Sequence, residues 1–254
     1  MLRCIDLELT APGRVLCRGL TVAFEPGEVW AVLGRNGSGK TTLIHALAGL
    51  VAPAGGRVEL DGLPLSGCGP RMRARTIGVL LQIEEGTFWG TVAEYVVLGR
   101  FPHAAAWAGY AREDLEAASA ALEAVGMTSF GARRYATLSG GERQRIRLAQ
   151  ILAQNPRILL LDEPLQHLDL AHQAHTVSLI AARAKERRQT ALMVLHEPLW
   201  IGRSCTHALI LTGDGAAIAG AADEVLTRER LEQAYGCTLH EVAHGEGRSF
   251  VPAV

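Results

Sequence analysis

Lysine is almost missing from this chain. Of 25 basic residues in 254, only Lys40 and Lys185 are lysine, and the rest are arginine. A lysine kept inside a motif against that bias needs its own reason, because a compact ammonium and a planar guanidinium are not interchangeable. Long apolar runs are missing too. No stretch approaches the ~20 residues of an ordinary membrane-spanning helix, and the opening MLRCIDLELT has no apolar signal segment. The chain therefore reads as cytoplasmic, reaching a membrane only through a partner. An excess of one charge sign is also absent: 25 Lys+Arg stand against 26 Asp+Glu, which argues against a polyanion-binding surface and predicts no nucleic-acid partner. The five cysteines (Cys4, Cys17, Cys68, Cys205 and Cys237) show no C-x-x-C spacing, so they read as free thiols in a reducing compartment.

What is present suits a globular domain, with 48% hydrophobic and 20% charged residues and a length that fits one large domain or one domain with an insertion. Residues 2–10, with Leu2, Cys4, Leu7 and Leu9, and residues 15–24 alternate apolar and polar, which predicts antiparallel strands. Glu28–Leu33 is an apolar run ending in a glycine-rich turn. Thr41–Leu50 then takes helical spacing, with Leu43, Leu47 and Leu50 on one face. Further strands are expected at 56–62, Ile77–Leu81, Ile158–Leu161, Ala191–Leu195 and Ala208–Leu211, and helices at 91–99, 112–125, 141–153, 169–187 and 223–235. Strands alternating with helices predict an α/β fold with a largely parallel sheet. The division is 1–82 and 156–240 as core, 83–155 as a helical insert, and 241–254 as a C-terminal tail.

Gly34-Arg35-Asn36-Gly37-Ser38-Gly39-Lys40-Thr41, followed by Thr42, satisfies G-x-x-x-x-G-K-[ST] between a predicted strand and helix. The glycines let successive N–H groups turn inward around phosphate, and the helix N-terminus favours its charge. Lys40 supplies a point charge and Thr41 a hydroxyl for Mg²⁺. The second buried strand ends in Asp162-Glu163. A parallel strand delivers its final residues to the sheet edge that carries the phosphate loop, so Asp162 is expected in the Mg²⁺ shell and Glu163 near the attacking water.

Leu138-Ser139-Gly140-Gly141-Glu142-Arg143-Gln144-Arg145 precedes that strand. An isolated Ser-Gly-Gly is also an ordinary helix N-cap. LSGGERQR followed by LLLDEP, however, resembles the signature of the ABC ATPase family. Gln82 matches its Q-loop glutamine, His167-Leu168-Asp169 its D-loop and His196 its switch histidine, and the likeness covers roughly residues 1–240. The resemblance implies a RecA-like P-loop NTPase core with an N-terminal antiparallel β part and an inserted helical subdomain. It also implies ATP hydrolysis with Mg²⁺ held by Thr41, Gln82 and Asp162, and catalysis by Glu163, His196 and Gln82. Two copies would associate head-to-tail, with Ser139, Gly140, Gly141 and Glu142 of one closing on ATP held by the other and Asp169 at the dimer contact.

Two departures from the family pattern stand out. The family places an adenine-stacking aromatic where this chain reads Thr10-Ala11-Pro12-Gly13, so base selectivity should be loose, with GTP accepted within about tenfold of ATP, a difference of ~1.4 kcal/mol. Glu197-Pro198 comes after the switch histidine where the family often has aspartate.

Leu98-Gly99-Arg100-Phe101-Pro102-His103 resembles a stretch of importer ATPases for ferric siderophores, haem and cobalamin. That group works on the cytoplasmic face of the cell membrane with permease subunits and, indirectly, a periplasmic or surface substrate-binding protein. A soluble non-transport ATPase, such as one for cluster assembly, and an exporter subunit are the alternatives. Phe88, Trp89, Phe101 and Trp107 are candidates either for a permease-facing surface or for the insert's own core. His167, His172 and His175 have no carboxylate at matching spacing and make a poor metal site.

Overall fold

Three short runs, VWAVL, ILLLD and TALMV, are buried at every position, the pattern of strands covered on both faces. They form β3 (Val29–Leu33), β7 (Ile158–Asp162) and β8 (Thr190–Val194) of a six-stranded sheet. The computed structural model describes residues 1–82, 88–104, 109–195, 200, 204–244 and 247–253. With β6 (Ile77–Leu80), β9 (His207–Leu211) and β10 (Ala217–Ala221), the sheet order is β10-β9-β3-β8-β7-β6, and only β10 is antiparallel to its neighbour. The carboxyl ends of the five parallel strands therefore share one edge.

A second sheet, of order β2-β1-β4-β5, is antiparallel throughout and comprises β1 (Leu2–Ala11), β2 (Arg14–Phe24), β4 (Gly55–Leu60) and β5 (Leu63–Pro64). Leu2, Cys4, Leu7 and Leu9 are all buried, although their spacing shifts phase after Cys4. The shift is absorbed at Asp6, whose φ is 48°, where the pairing with β2 slips register. One face of the parallel sheet, through Trp30, Val32, Leu160, Leu192 and Leu209, packs with this second sheet and α1 (Lys40–Leu47). The opposite face packs Ala31, Leu159 and Met193 against Ile180 and Ala184 of α6 (Leu170–Arg187).

A third apolar cluster belongs to α3 (Val92–Val97), α4 (Arg112–Ala124) and α5 (Gly140–Gln154). Val92, Val96, Leu122, Ile146 and Leu152 fill it, and Tyr95 stacks on Tyr135 at 4.2 Å between centroids. Phe88 meets Tyr95 edge-on at 5.3 Å, which places it with this core. Trp89 and Phe101 are 77% and 75% exposed. Trp107 lies outside the described residues.

Several elements differ from the sequence expectation. Helix α1 stops at Leu47, because Ala48 caps it and Gly49 turns left-handed at φ 68°, so Leu50 leaves the helical face and is exposed. The expected helix at 223–235 is two pieces, α7 (Ala222–Val225) and α8 (Arg228–Tyr235), with Thr227 capping the second through the Arg230 amide. The polar segment before β6 contains α2 (Pro70–Thr76), started by a proline in its first turn. The expected tail is mostly a hairpin, β11 (Leu239–His244) with β12 (Gly247–Pro252), anchored because Leu239 and Phe250 enter the apolar core.

Candidate active site

The loop between β3 and α1 is made by backbone that side chains would block. Gly34 has φ 139°, and a Cβ there would lie 2.3 Å from the Leu211 carbonyl oxygen. Gly39, at φ 107°, would bring a Cβ to 2.9 Å from Leu16. Both positions need glycine on two counts, conformation and space. Lys40 opens α1 and is buried, its Nζ donating to the carbonyls of Gly34 at 2.8 Å and Arg35 at 3.0 Å. Burial pulls the ammonium pKa down, and the Glu163 and Asp162 carboxylates push back up.

The carboxyl end of β7, separated from β3 by β8, brings the acidic pair to this loop. Asp162 ends β7 and is buried, with neither Oδ atom hydrogen-bonded. Burial raises its pKa, only partly offset by the nearby Thr41 hydroxyl and by His45 and Lys40. Glu163 sits at φ 53°, a left-handed backbone that is costly for a residue with a Cβ. Its Oε1 accepts from Gln82 Nε2 at 3.0 Å, across 81 residues of sequence. Gln82 lies just past the carboxyl end of β6, so two parallel strand ends meet here. A cleft of about 760 Å³ is lined by the loop residues Asn36, Gly37, Gly39, Lys40, Thr41 and Thr42, by Gln82, Glu163 and Gln166, and by Ala11, Arg14 and Leu16.

The orphaned Asp162 carboxylate fits a hard divalent cation. Its oxygens and the Thr41 hydroxyl beside them are hard oxygen donors of the kind that Mg²⁺ takes, and would hold the ion there. Ser38 Oγ is likewise buried without a partner, 2.6 Å from where a Gly34 Cβ would be. The Arg35 side chain turns away from the cleft and lies over Gly236, so Arg35 offers the site only its backbone.

Ser139, Gly140, Gly141 and Glu142 do not line this cleft. Ser139 caps α5, accepting from the Glu142 amide at 3.3 Å while Glu142 Oε2 accepts from the Ser139 amide at 2.7 Å. The exposed Ser139 and Gly140 stand beside the loop after Glu163: a Cβ on Gly141 would lie 2.8 Å from the His167 carbonyl oxygen. Asp169 caps α6, its Oδ1 accepting from the His172 amide at 2.9 Å and meeting His172 Nδ1 at 2.8 Å. His175 Nε2 lies 2.9 Å from the Ala124 carbonyl oxygen. Two of the three histidines thus have structural partners, and no metal-binding cluster occurs among the described residues. His196, Glu197 and Pro198 lie outside the described residues, although β8 ends two residues before His196 at the same sheet edge.

The sequence reading missed two side chains that tie the site to the helical part. Gln144, buried in α5, donates to the Glu163 carbonyl oxygen at 3.0 Å. Arg147 donates to Gln144 Oε1 at 3.0 Å and to the Leu81 carbonyl oxygen, one residue before Gln82. One helical turn therefore holds the backbone on both sides of the Gln82–Glu163 contact. The only signal for this lay in Gln144's place within LSGGERQR.

Residues 17–166 match the family model described as ABC transporter. The chain is 42% identical over 231 residues to the hemin import ATP-binding protein HmuV of Myxococcus xanthus, spanning 88% of this chain and 85% of that protein. It is 38% identical over 224 residues to the ferric enterobactin transport ATP-binding protein FepC of Escherichia coli, spanning 87% and 82%. Among solved structures, an inward-facing metal-chelate type ABC transporter superposes with a TM-score of 0.86 at 28% identity, covering 100% of this chain and 97% of that one. No helix among the described residues is long and apolar enough to cross a membrane. A phosphate loop, an acidic strand end and a capped Ser-Gly-Gly helix thus stand within a matching family model and close relatives, and the chain belongs to the ABC transporter family as an ATP-binding, ATP-hydrolysing subunit.

Proposed function

We propose that this subunit energises the import of haem or a ferric chelate through a membrane permease. The observation that carries the chemistry is the Gln82–Glu163 hydrogen bond at the wall of the phosphate-loop cleft, beside an orphaned buried Asp162. The cargo class rests on relatives named for hemin and ferric enterobactin. Cobalamin is a further cargo suggested by the 98–103 string.

In this reading, residues 34–42 hold the ATP phosphates. Thr41, Asp162 and Gln82 hold Mg²⁺, which when bound would neutralise phosphate charge. Glu163 takes the proton of the attacking water, and His196 and Gln82 help to orient that water. Ser139 to Glu142 and Asp169 face a second copy, so a head-to-tail homodimer completes two sites. Ser139 and Gly140 are exposed beside the loop after Glu163, as such a contact needs. The segments 1–82 and 156–240 form the nucleotide-binding core and 83–155 the insert that meets the permease, with the protein peripheral on the cytoplasmic face of the membrane. A substrate-binding protein would act through the permease.

The test is affinity capture of Glu163→Gln protein from detergent-solubilised native membranes with ATP present, then mass spectrometry. A multi-spanning permease with a haem- or chelate-binding protein is the expected outcome. Soluble partners alone would overturn the transport reading and favour a non-transport ATPase.

A further inference from the structure

Glu163 and Gln82 touch at the cleft wall, yet each stands on backbone that must be held from outside. Glu163 keeps φ at 53°, a region sparsely populated by residues with a Cβ, so its carboxylate stays aimed only while neighbours fix that backbone. Gln82 stands two residues past the end of β6. Helix α5 reaches both places. Gln144 and Arg147 are three residues apart on it and share one face. The buried Gln144 donates Nε2 to the Glu163 carbonyl oxygen at 3.0 Å. Arg147 donates through Nη1 to Gln144 Oε1 at 3.0 Å and through Nη2 to the Leu81 carbonyl oxygen. A guanidinium only donates. It therefore claims the Gln144 oxygen and turns the amide nitrogen toward Glu163. With the amide reversed, donor would face donor at Arg147 and acceptor would face acceptor at Glu163, a costly arrangement for a buried group.

We infer that Arg147 is a positioning residue for hydrolysis: its one guanidinium, bridging Gln144 and the Leu81 carbonyl, fixes the backbone beneath both Glu163 and Gln82 and so aims the Glu163 carboxylate. The inference rests on the reading of Glu163 as the base. Arg147 is not among the residues that line the phosphate-loop cleft, so it acts on the reaction through these two neighbours. A misplacement of about 1 Å at a reacting group costs on the order of 10²-fold in rate, and a base that is loosened but still present should cost about tenfold. The phosphate contacts of residues 34–42 do not pass through Arg147, so nucleotide affinity should hold.

Phosphate release and Mg²⁺–ATP binding by the full-length protein test this, with Arg147→Met and Gln144→Glu each made alone and in a Glu163→Gln background. Arg147→Met keeps the apolar stem and should lower kcat about tenfold, while KM and ATP affinity move by less than about twofold. Gln144→Glu gives Arg147 a carboxylate that the guanidinium keeps ionised, but leaves the Glu163 carbonyl without its donor. It should lose kcat to the same degree although the tie within α5 survives. In the Glu163→Gln background, either substitution should change the residual rate by less than about twofold, because no base is left to aim. Equal fold-losses with and without Glu163 would reduce Arg147 to a brace of the fold and overturn the proposal. Unchanged kcat in Arg147→Met, full activity in Gln144→Glu, or a fall in ATP affinity that parallels kcat would each overturn it as well. Where Arg147→Met does not fold, the Gln144→Glu comparison decides alone. Glu163→Gln turning over at the unsubstituted rate would instead remove the reading of the base, and this proposal with it.

Discussion

The helical part around α3–α5 and the cleft at the parallel-sheet edge use polar residues in opposite ways. In the helical part, polar groups are spent on one another. Thr91 and Glu94 form a reciprocal cap at α3, and Ser139 and Glu142 do the same at α5. Arg100 donates to Asp114 at 2.9 Å with both side chains largely buried, and Asp114 also accepts from the Ala111 amide at 3.0 Å. In the cleft, polar groups are withheld. Asp162 and Ser38 are buried without partners, Lys40 is held among carbonyls with its pKa lowered, and Glu163 occupies a strained backbone. Satisfied groups specify a fold, and unsatisfied ones hold free energy in reserve for a ligand.

The largest effect that would sharpen this contrast is at Glu163. Glu163→Gln keeps a hydrogen-bonding side chain beside Gln82, so nucleotide binding should persist while phosphate release falls by about 10²-fold or more. Turnover at the unsubstituted rate would show that the Glu163 carboxylate is not the base.

Asp162→Asn should split stability from function. Burial raises the Asp162 pKa, so the charged form costs the ligand-free fold stability once pH climbs above the unfolded value of ~3.9 and on through the folded pKa. Removing the charge should raise ligand-free stability by about 1–2 kcal/mol at neutral pH, a gain that vanishes toward pH 4. Mg²⁺-dependent nucleotide binding should be lost in the same variant. Thermal unfolding with and without Mg²⁺–nucleotide reads both, and a destabilised ligand-free variant would break the comparison.

Arg100→Ala should act in the reverse sense. The hydrogen bond from Arg100 holds the Asp114 carboxyl below its ordinary range, so this stabilisation is present above the unfolded carboxyl pKa and is lost as pH falls through the folded one. A loss of about 1–3 kcal/mol at neutral pH, shrinking below pH ~4, is expected from denaturant titrations.

The smallest effect gives the finest test. Thr91→Ala and Ser139→Ala remove equivalent caps, and each should cost about 1 kcal/mol in denaturant midpoint. Only Ser139→Ala should also slow turnover, because its helix start is the one exposed beside the Glu163 loop. Equal activity in the two variants would reduce Ser139 to a cap.

Much of the fold was legible in the sequence because its signals were local. An apolar run, a glycine at each tight position and a lysine retained against the arginine bias placed β3, the phosphate loop and α1, and buried runs placed β7 and β8. Gln82, Asp162 and Glu163 meet the loop because parallel strands end at one edge, a consequence of the strand order alone. The features that escaped depended on distant partners. The β11–β12 hairpin forms from a polar segment because only Leu239 and Phe250 need to find the core. The bulge at Asp6 is a register event between strands. Gln144 looked like one more polar residue on a helix, and its tie to the Glu163 carbonyl crosses 19 positions.

Trp200 turns one of these contacts into an optical instrument. Its indole Nε1 donates to Gln173 Oε1 at 3.0 Å, and its ring lines a cavity of about 330 Å³ together with Glu163, Gln166 and His167. Trp30 is buried under the sheet at 2% exposure, while Trp89 is 77% exposed, so their emission belongs to other environments. A rearrangement of the loop after Glu163 would change the polarity around Trp200, so the part of the natural chain's fluorescence change that Trp200→Phe removes tracks that loop with no attached dye.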